Sequence, residues 1–145
     1  KQVRVGRNTE SFTCYKFRTM KIGTKQLGTH EVSSASVTKL GAFLRKTKID
    51  ELPQIINILR NELSLIGPRP CLPNQEELIA ARKHLGVFRI KPGISGLAQI
   101  NNIDMSTPEL LSQWDARYIA LRGLIPDLSI AAATATGKGQ GDKIV

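Results

Sequence analysis

The sequence predicts an α+β domain, helix-rich and single, with an N-terminal β-hairpin. Three observations predict it. Apolar residues alternate with polar ones near the N-terminus, apolar stripes at helical spacing follow, and 145 residues suffice to bury one core with little left for a second. Residues 1–136 are assigned to the domain, and residues 137–145, rich in Gly and charge, to a flexible C-terminal tail.

Taken in order, Val3-Arg4-Val5, the turn formers Gly6-Arg7-Asn8 and alternating Phe12, Cys14 and Phe17 read as the hairpin, leading into Lys16-Phe17-Arg18-Thr19-Met20. From Ile22 to Ser36 no period is sustained, so a surface loop is expected. Val37, Leu40, Phe43 and Leu44 recur at helical spacing and mark a short helix ending near Lys46. Leu52, Ile55, Ile56, Leu59 and Leu63 form the strongest helical stripe in the chain, which predicts a core-facing helix. Pro53 lacks an N–H and belongs in a first helical turn, so Asp50 is placed at or beside the N-cap. Gly67-Pro68-Arg69-Pro70 enforces a stiff turn, and a polar helix runs from about Asn74 to His84. Phe88 to Asn102 mixes glycines with strand formers. Ser106 or Thr107 caps a helix with Pro108 in its first turn, reaching about Ala120 and carrying Trp114, Asp115 and Tyr118. A short apolar helix from Asp127 to Thr136 closes the domain.

Charge narrows the function classes. Lys and Arg outnumber Asp and Glu by 21 to 12, a net charge of +9, which implies an acidic partner: nucleic acid, anionic lipid or phosphorylated small molecule. Low aromatic content and the lack of a helix-turn-helix, RNP or zinc signature count against nucleic acid. Cys14 and Cys71 stand in no metal or CxxC spacing, which leaves a reducing, cytosolic setting as the default. No stretch reaches bilayer-spanning length, so the segment reads as soluble. Neither GxGxxG nor GxxxxGK[ST] is present, against Rossmann and P-loop nucleotide binding. His30 and His84 have no partner spacing and read as surface residues; Trp114 fits a core or a lipid interface equally. Leu121-Arg122-Gly123-Leu124-Ile125-Pro126 joined to Leu128–Ala135 fits a membrane-surface helix or a packed core helix.

Chemistry concentrates at Asp50-Glu51. A carboxylate at a helix start stays ionised, the same spot attracts phosphate, and an ionised carboxylate next to a phosphate is a nucleophile once cations neutralise the repulsion. Arg45, Lys46, Lys48 and Arg69 are the cations near in sequence, and a second carboxylate suits Mg²⁺. The same pair also reads as an ordinary helix cap with an acidic first turn, and the residue types alone favour that reading.

Five blocks stand in order: Lys16-Phe17-Arg18-Thr19-Met20, Thr38-Lys39-Leu40-Gly41-Ala42-Phe43-Leu44-Arg45, Asp50-Glu51-Leu52-Pro53-Gln54, Ser64-Leu65-Ile66-Gly67-Pro68-Arg69-Pro70 and Lys91-Pro92-Gly93-Ile94-Ser95-Gly96-Leu97-Ala98-Gln99. Together they resemble the bacterial sugar transferases, the monotopic phosphoglycosyl transferases. The resemblance implies that Asp50 is the nucleophile and that Glu51, with Asp50, holds Mg²⁺. Asp50 would attack the sugar-bearing phosphorus of a UDP-sugar, UMP would leave, and polyprenyl (undecaprenyl) phosphate would take the phosphosugar from the aspartyl intermediate, initiating glycan assembly. Lys16, Arg45 and Arg69 would bind substrate phosphates, and Asp115 with Tyr118 resembles a late Asp-x-x-Tyr element of the site. The implied setting is the cytosolic face of a bacterial inner membrane. Family members carry an N-terminal hydrophobic helix that enters and leaves one leaflet; a chain beginning at Lys1 without it is expected to be a fragment. Lys48 stands where the family more usually has Ser, and Asn102 follows Asn101 where Asn-Gly is commoner. Two rival readings remain at this level: a basic nucleic-acid- or membrane-binding module without catalysis, and a metal-dependent phosphoesterase in which Asp50-Glu51 activates water.

Overall fold

A computed structural model describes residues 1–24 and 36–139. The α+β expectation holds, with helix in excess of strand. Strands β1 (Gln2–Val5) and β2 (Ser11–Cys14) form the expected antiparallel hairpin, Val3 opposite Thr13 and Arg4 opposite Phe12. A second, parallel pair joins β3 (Ser64–Ile66) to β4 (Gly93–Ser95). Neither strand is predicted from the sequence, where Lys91-Pro92-Gly93 and Ser95-Gly96 read as turns, because three residues carry too few alternations to show a period of two. Helices α1 (Lys39–Lys46), α2 (Ile55–Leu59), α3 (Glu76–His84), α4 (Leu97–Ile100), α5 (Pro108–Leu121) and α6 (Leu124–Ala135) complete the order. Pro108 opens α5 as its spacing predicts, and α6 begins three residues before the expected start, with Pro126 absorbed in its first turn. The surface-loop assignment falls mainly on residues 25–35, and the tail assignment partly on 140–145; both stretches lie outside the described residues.

Two apolar clusters hold the elements together. Val5, Cys71, Leu78, Ala98, Met105 and Leu111 make the larger, and half-buried Trp114 packs against it, with the Arg117 guanidinium 5.1 Å from its ring centroid. Core packing therefore accounts for Trp114. Phe12, Cys14 and Leu63 make the smaller, beneath the hairpin.

The expected core-facing helix is a correction. Residues 49–54 form a 3₁₀ turn, and only Ile55–Leu59 is α-helical. Leu52, Ile55, Ile56 and Leu59 point outward, Leu59 at 82% exposure, while Gln54 and Asn57 are buried; of the stripe only Leu63, beyond the helix, is in the core as expected. Hydrogen bonds set this rotation. Asn57 Nδ2 donates to Thr13 O (2.7 Å) and to Glu62 Oε2 (2.6 Å), and Asn57 Oδ1 accepts from Tyr15 N (3.1 Å), so a polar side chain locks α2 to β2 and the stripe faces away. An apolar period reports that one face is special; it does not report what covers that face.

Helix α1 starts at Thr38, whose hydroxyl accepts from Gly41 N at 2.9 Å. Gly41 lies against the Thr19 backbone so closely that a β-carbon would occupy the Thr19 carbonyl. This approach carries Arg45, one turn further on, to the site. Gly41→Ala should therefore cost about 3 kcal/mol, the scale of overpacking against rigid backbone; a urea midpoint unchanged from wild type would show that α1 is not seated this way.

Candidate functional site

Asp50 and Glu51 lie side by side in the 3₁₀ turn Ile49–Gln54, at 8% and 9% exposure. The turn begins at Lys48, whose backbone is left-handed (φ 57°, ψ 14°). Lys48 thus occupies the cap position, no side chain caps the turn, and the Glu51 N–H bonds the Lys48 carbonyl at 3.1 Å. Asp50 is therefore not the cap, while the acidic first turn is present: both carboxylates lie in it. With so short a helical segment following, the positive environment of the pair comes from side chains instead.

Three elements deliver those side chains. The segment leaving β2 is tied to the turn by Phe17 N donating to Asp50 O at 3.0 Å, which sets Lys16 Nζ 2.7 Å from Glu51 Oε1. Arg45 reaches in from α1, its Nε donating to Thr19 Oγ1 at 2.9 Å. Arg69, in the Pro68-Arg69-Pro70 turn, places Nη2 3.5 Å from the same Glu51 oxygen. The sequence-predicted set Asp50, Glu51, Lys16, Arg45 and Arg69 is therefore brought together. A groove of about 430 Å³ opens beside it, lined by Lys1, Lys16, Arg18, Lys21 and Arg45 with no carboxylate in its described lining, a shape and charge suited to a diphosphate.

Burial pushes the Asp50 carboxyl up, Lys16 opposes this, Glu51 pushes it up further, and Arg45 and Arg69 draw it back; the net direction is upward. Glu51 runs the other way. Burial would raise it, yet Lys16 and Arg69 outweigh burial and hold its carboxyl below the usual range. The two carboxyls are thus pushed apart, the arrangement by which neighbouring acids take different roles. Glu51 Oε2 is buried with no hydrogen-bond partner among the described residues, an oxygen positioned for a ligand.

The turn bearing Arg69 is braced from behind by residues that sequence reading missed. Arg4 Nη1 donates to Pro70 O at 3.0 Å, and Arg82 Nη1 to Arg69 O at 2.8 Å. Arg82 is 1% exposed and pairs with Asp115, Nε at 2.9 Å and Nη2 at 2.7 Å from Oδ2. A signal was available. Arg82 lies four residues after core Leu78 on the same face of α3, and a charge on an apolar face demands a buried partner. Asp115 and Tyr118 engage different partners: the Tyr118 hydroxyl donates to Asp127 Oδ1 at 2.9 Å and lies 3.4 Å from Ile66 O, linking α5 to α6 and β3. Burial, then the bond and charge of Asp127, push the Tyr118 hydroxyl well up, so it stays protonated. His84 is exposed, and His30 lies outside the described residues.

The sequence profile described as bacterial sugar transferase matches residues 1–138. The chain is 40% identical over 137 residues to the uncharacterized sugar transferase EpsL of Bacillus subtilis, covering 92% of this chain and 66% of EpsL. Identity is 35% to the UDP-glucose:undecaprenyl-phosphate glucose-1-phosphate transferase of Xanthomonas campestris pv. campestris, over 93% of this chain and 30% of that protein. It is 32% to the undecaprenyl-phosphate galactose phosphotransferase of Salmonella typhimurium, over 91% and 31%. The chain thus spans about two thirds of one relative's length and under a third of the other two.

Removing the charge of Asp115 should strand the buried Arg82 guanidinium. Asp115→Asn is expected to cost about 3–5 kcal/mol in urea unfolding at neutral pH; a loss under about 1 kcal/mol would show that the pair does not brace the fold.

Proposed function

This chain belongs to the bacterial sugar transferase family, and on that premise we propose that it moves a sugar 1-phosphate from a UDP-sugar to polyprenyl (undecaprenyl) phosphate through a covalent bond to Asp50. One observation carries the reading: a buried carboxylate pair with Lys16, Arg45 and Arg69 gathered on it from three elements.

An Asp50 carboxylate oxygen attacks the sugar-bearing phosphorus, the bond from that phosphorus to the bridging oxygen breaks, and UMP leaves with the electron pair. An oxygen of the acceptor phosphate then attacks the same phosphorus and releases Asp50 as carboxylate, giving the polyprenyl diphosphosugar. Lys16, Arg45 and Arg69 hold the phosphate oxygens and offset the charge that gathers as two anions meet. Glu51 orients Lys16 and Arg69 through the oxygen it shares between them. The site also fits Mg²⁺: the unengaged Glu51 Oε2 beside Asp50 is a hard oxygen donor, and Mg²⁺ asks for few protein ligands when water and substrate phosphate supply the rest. When bound by Glu51 and Asp50, the ion would neutralise the diphosphate.

The reading also includes a lipid surface. Leu40, Phe43, Leu52, Ile55, Ile56 and Leu59 are exposed apolar side chains on α1, the 3₁₀ turn and α2, and Leu124, Ile125 and Leu128 are exposed on α6. No helix among the described residues is long and apolar enough to cross a membrane. Such surfaces, on a chain of net charge +9, suit docking on the anionic cytosolic face of a bacterial inner membrane.

Mixing the full-length protein with a UDP-sugar should release UMP and add one phosphosugar to the peptide bearing Asp50, read by mass spectrometry. Asp50→Asn should lower UMP release by at least about 10³-fold; a variant transferring at wild-type rate would remove the mechanism. The same substitution should raise the melting temperature at neutral pH. An acid whose folded value lies above its unfolded one stabilises the fold only while protonated, and that contribution is lost as pH rises through the folded value, so the ionised Asp50 is a net cost that Asn removes. Lys16→Met removes the strongest pull on Asp50 toward ionisation. The acid limb of the pH profile for UMP release should then move to higher pH; an unmoved or lowered limb would show that Asp50 is not the group whose ionisation limits the rate.

A further inference from the structure

A second groove, of about 600 Å³, lies between the loop leading into the Asp50 turn, strands β3 and β4, and the last turns of α6. Its exposed surface is mainly apolar, with Leu65, Ile66, Ile94, Ala131 and Ala135 in the lining, and a hydrogen bond between Ser95 and Thr134 fastens β4 to α6 within it. Lys46 and Lys48 stand on its lining, and Lys48 is two residues from Asp50 and close enough for its charge to feel both carboxylates. Away from the lysines the apolar surface continues. Ala135, Ala131, Leu128 and Leu124 fall at spacings of four, three and four along α6, one stripe of a helix, and both leucines are exposed. The stripe spans about 16 Å at 1.5 Å per residue.

A surface that is cationic at the dyad and apolar over its remaining length complements a long hydrocarbon with a phosphate at one end. The first groove is a poor match, since its lining is crowded with cations. Resting on the function proposed above, we propose that this second groove seats the leading isoprene units of the acceptor, with Lys46 and Lys48 on its phosphate and the stripe Ala135–Ala131–Leu128–Leu124 guiding the chain toward the lipid surface. Nucleotide donor and lipid acceptor would then approach Asp50 from different sides, and the hydrocarbon need not cross the polar groove. Ala131 is exposed and tolerates a larger side chain without burying it, so the groove can be filled while the fold stands.

The test uses the full-length protein in detergent micelles with purified undecaprenyl phosphate and a UDP-sugar that the wild type turns over. Ala131→Trp should raise the KM for undecaprenyl phosphate by about tenfold or more while single-turnover UMP release keeps its wild-type rate and amplitude. Ala132→Trp, also exposed but outside the groove lining, should behave as wild type. Lys48→Gly, which relaxes a left-handed backbone and so folds readily, should also raise the acceptor KM, and should weaken inhibition by inorganic phosphate in the second half-reaction. An acceptor KM unchanged in both Ala131→Trp and Lys48→Gly overturns the groove assignment and leaves the aspartyl reading intact, because UMP release still reports on Asp50. Equal damage from Ala131→Trp and Ala132→Trp also overturns it, pointing to a general perturbation of the helix rather than a filled groove. Absence of UMP release in the wild type sinks the function reading itself, a result none of the groove variants can imitate.

Discussion

Glu51 holds together three parts of the chain that are distant in sequence. One oxygen of this carboxylate takes Lys16 from the segment beyond the hairpin and Arg69 from the Pro68-Arg69-Pro70 turn, while its backbone lies in the turn that presents Asp50. Taking a carboxylate out of water is expensive unless cations and hydrogen bonds replace the water. Glu51 therefore stays charged only because two cations are delivered to it, and each is delivered by a separate piece of scaffold. Phe17 N on the Asp50 carbonyl fixes one, and Arg4 and Arg82 on the carbonyls of Pro70 and Arg69 fix the other. On acidification through the depressed Glu51 value this contribution is lost, so the same charges that prepare the site also tie it to the stability of the fold.

The division of labour between the two carboxyls follows from their neighbours. Both are nearly buried, yet Lys16 and Arg69 sit directly on Glu51, whereas Asp50 is influenced by the same cations at longer range and is repelled by Glu51. A more basic carboxylate is a better nucleophile, and a less basic one remains an anion for a cation or metal. Function and stability pull in opposite directions at residue 50, a common pattern where a charge is kept under cover for chemistry.

Much of this was legible in the residues. Pro53 locates the turn, Pro108 the start of α5, and the five blocks in order single out Lys16, Arg45, Asp50, Glu51 and Arg69, which the structure gathers in space. What could not be read has a physical reason in each case. β3 and β4 are three residues each and parallel, and they approach closely only because Gly67 and Gly93 lack side chains at the contact, a tertiary fact with no local signature. Arg82 was the legible exception, since it shares the face of Leu78, but on a helix this polar one apolar residue is a weak marker of the inner side. Of the stripe Leu52, Ile55, Ile56, Leu59 and Leu63 only Leu63 is core, because hydrophobic periodicity marks a face without saying what covers it.

That inversion on α2 changes what substitution should mean along it. The side chain that cannot be exchanged is the amide Asn57, which satisfies the edge of β2 and the carboxylate of Glu62; Ile58 packs against the smaller core cluster, while the outward-facing Ile55, Ile56 and Leu59 make little internal packing for an exchange to disturb. Natural variation here would run against the usual rule for a helix: the polar position invariant, and the greasy ones free to drift among one another so long as their oil-loving character survives.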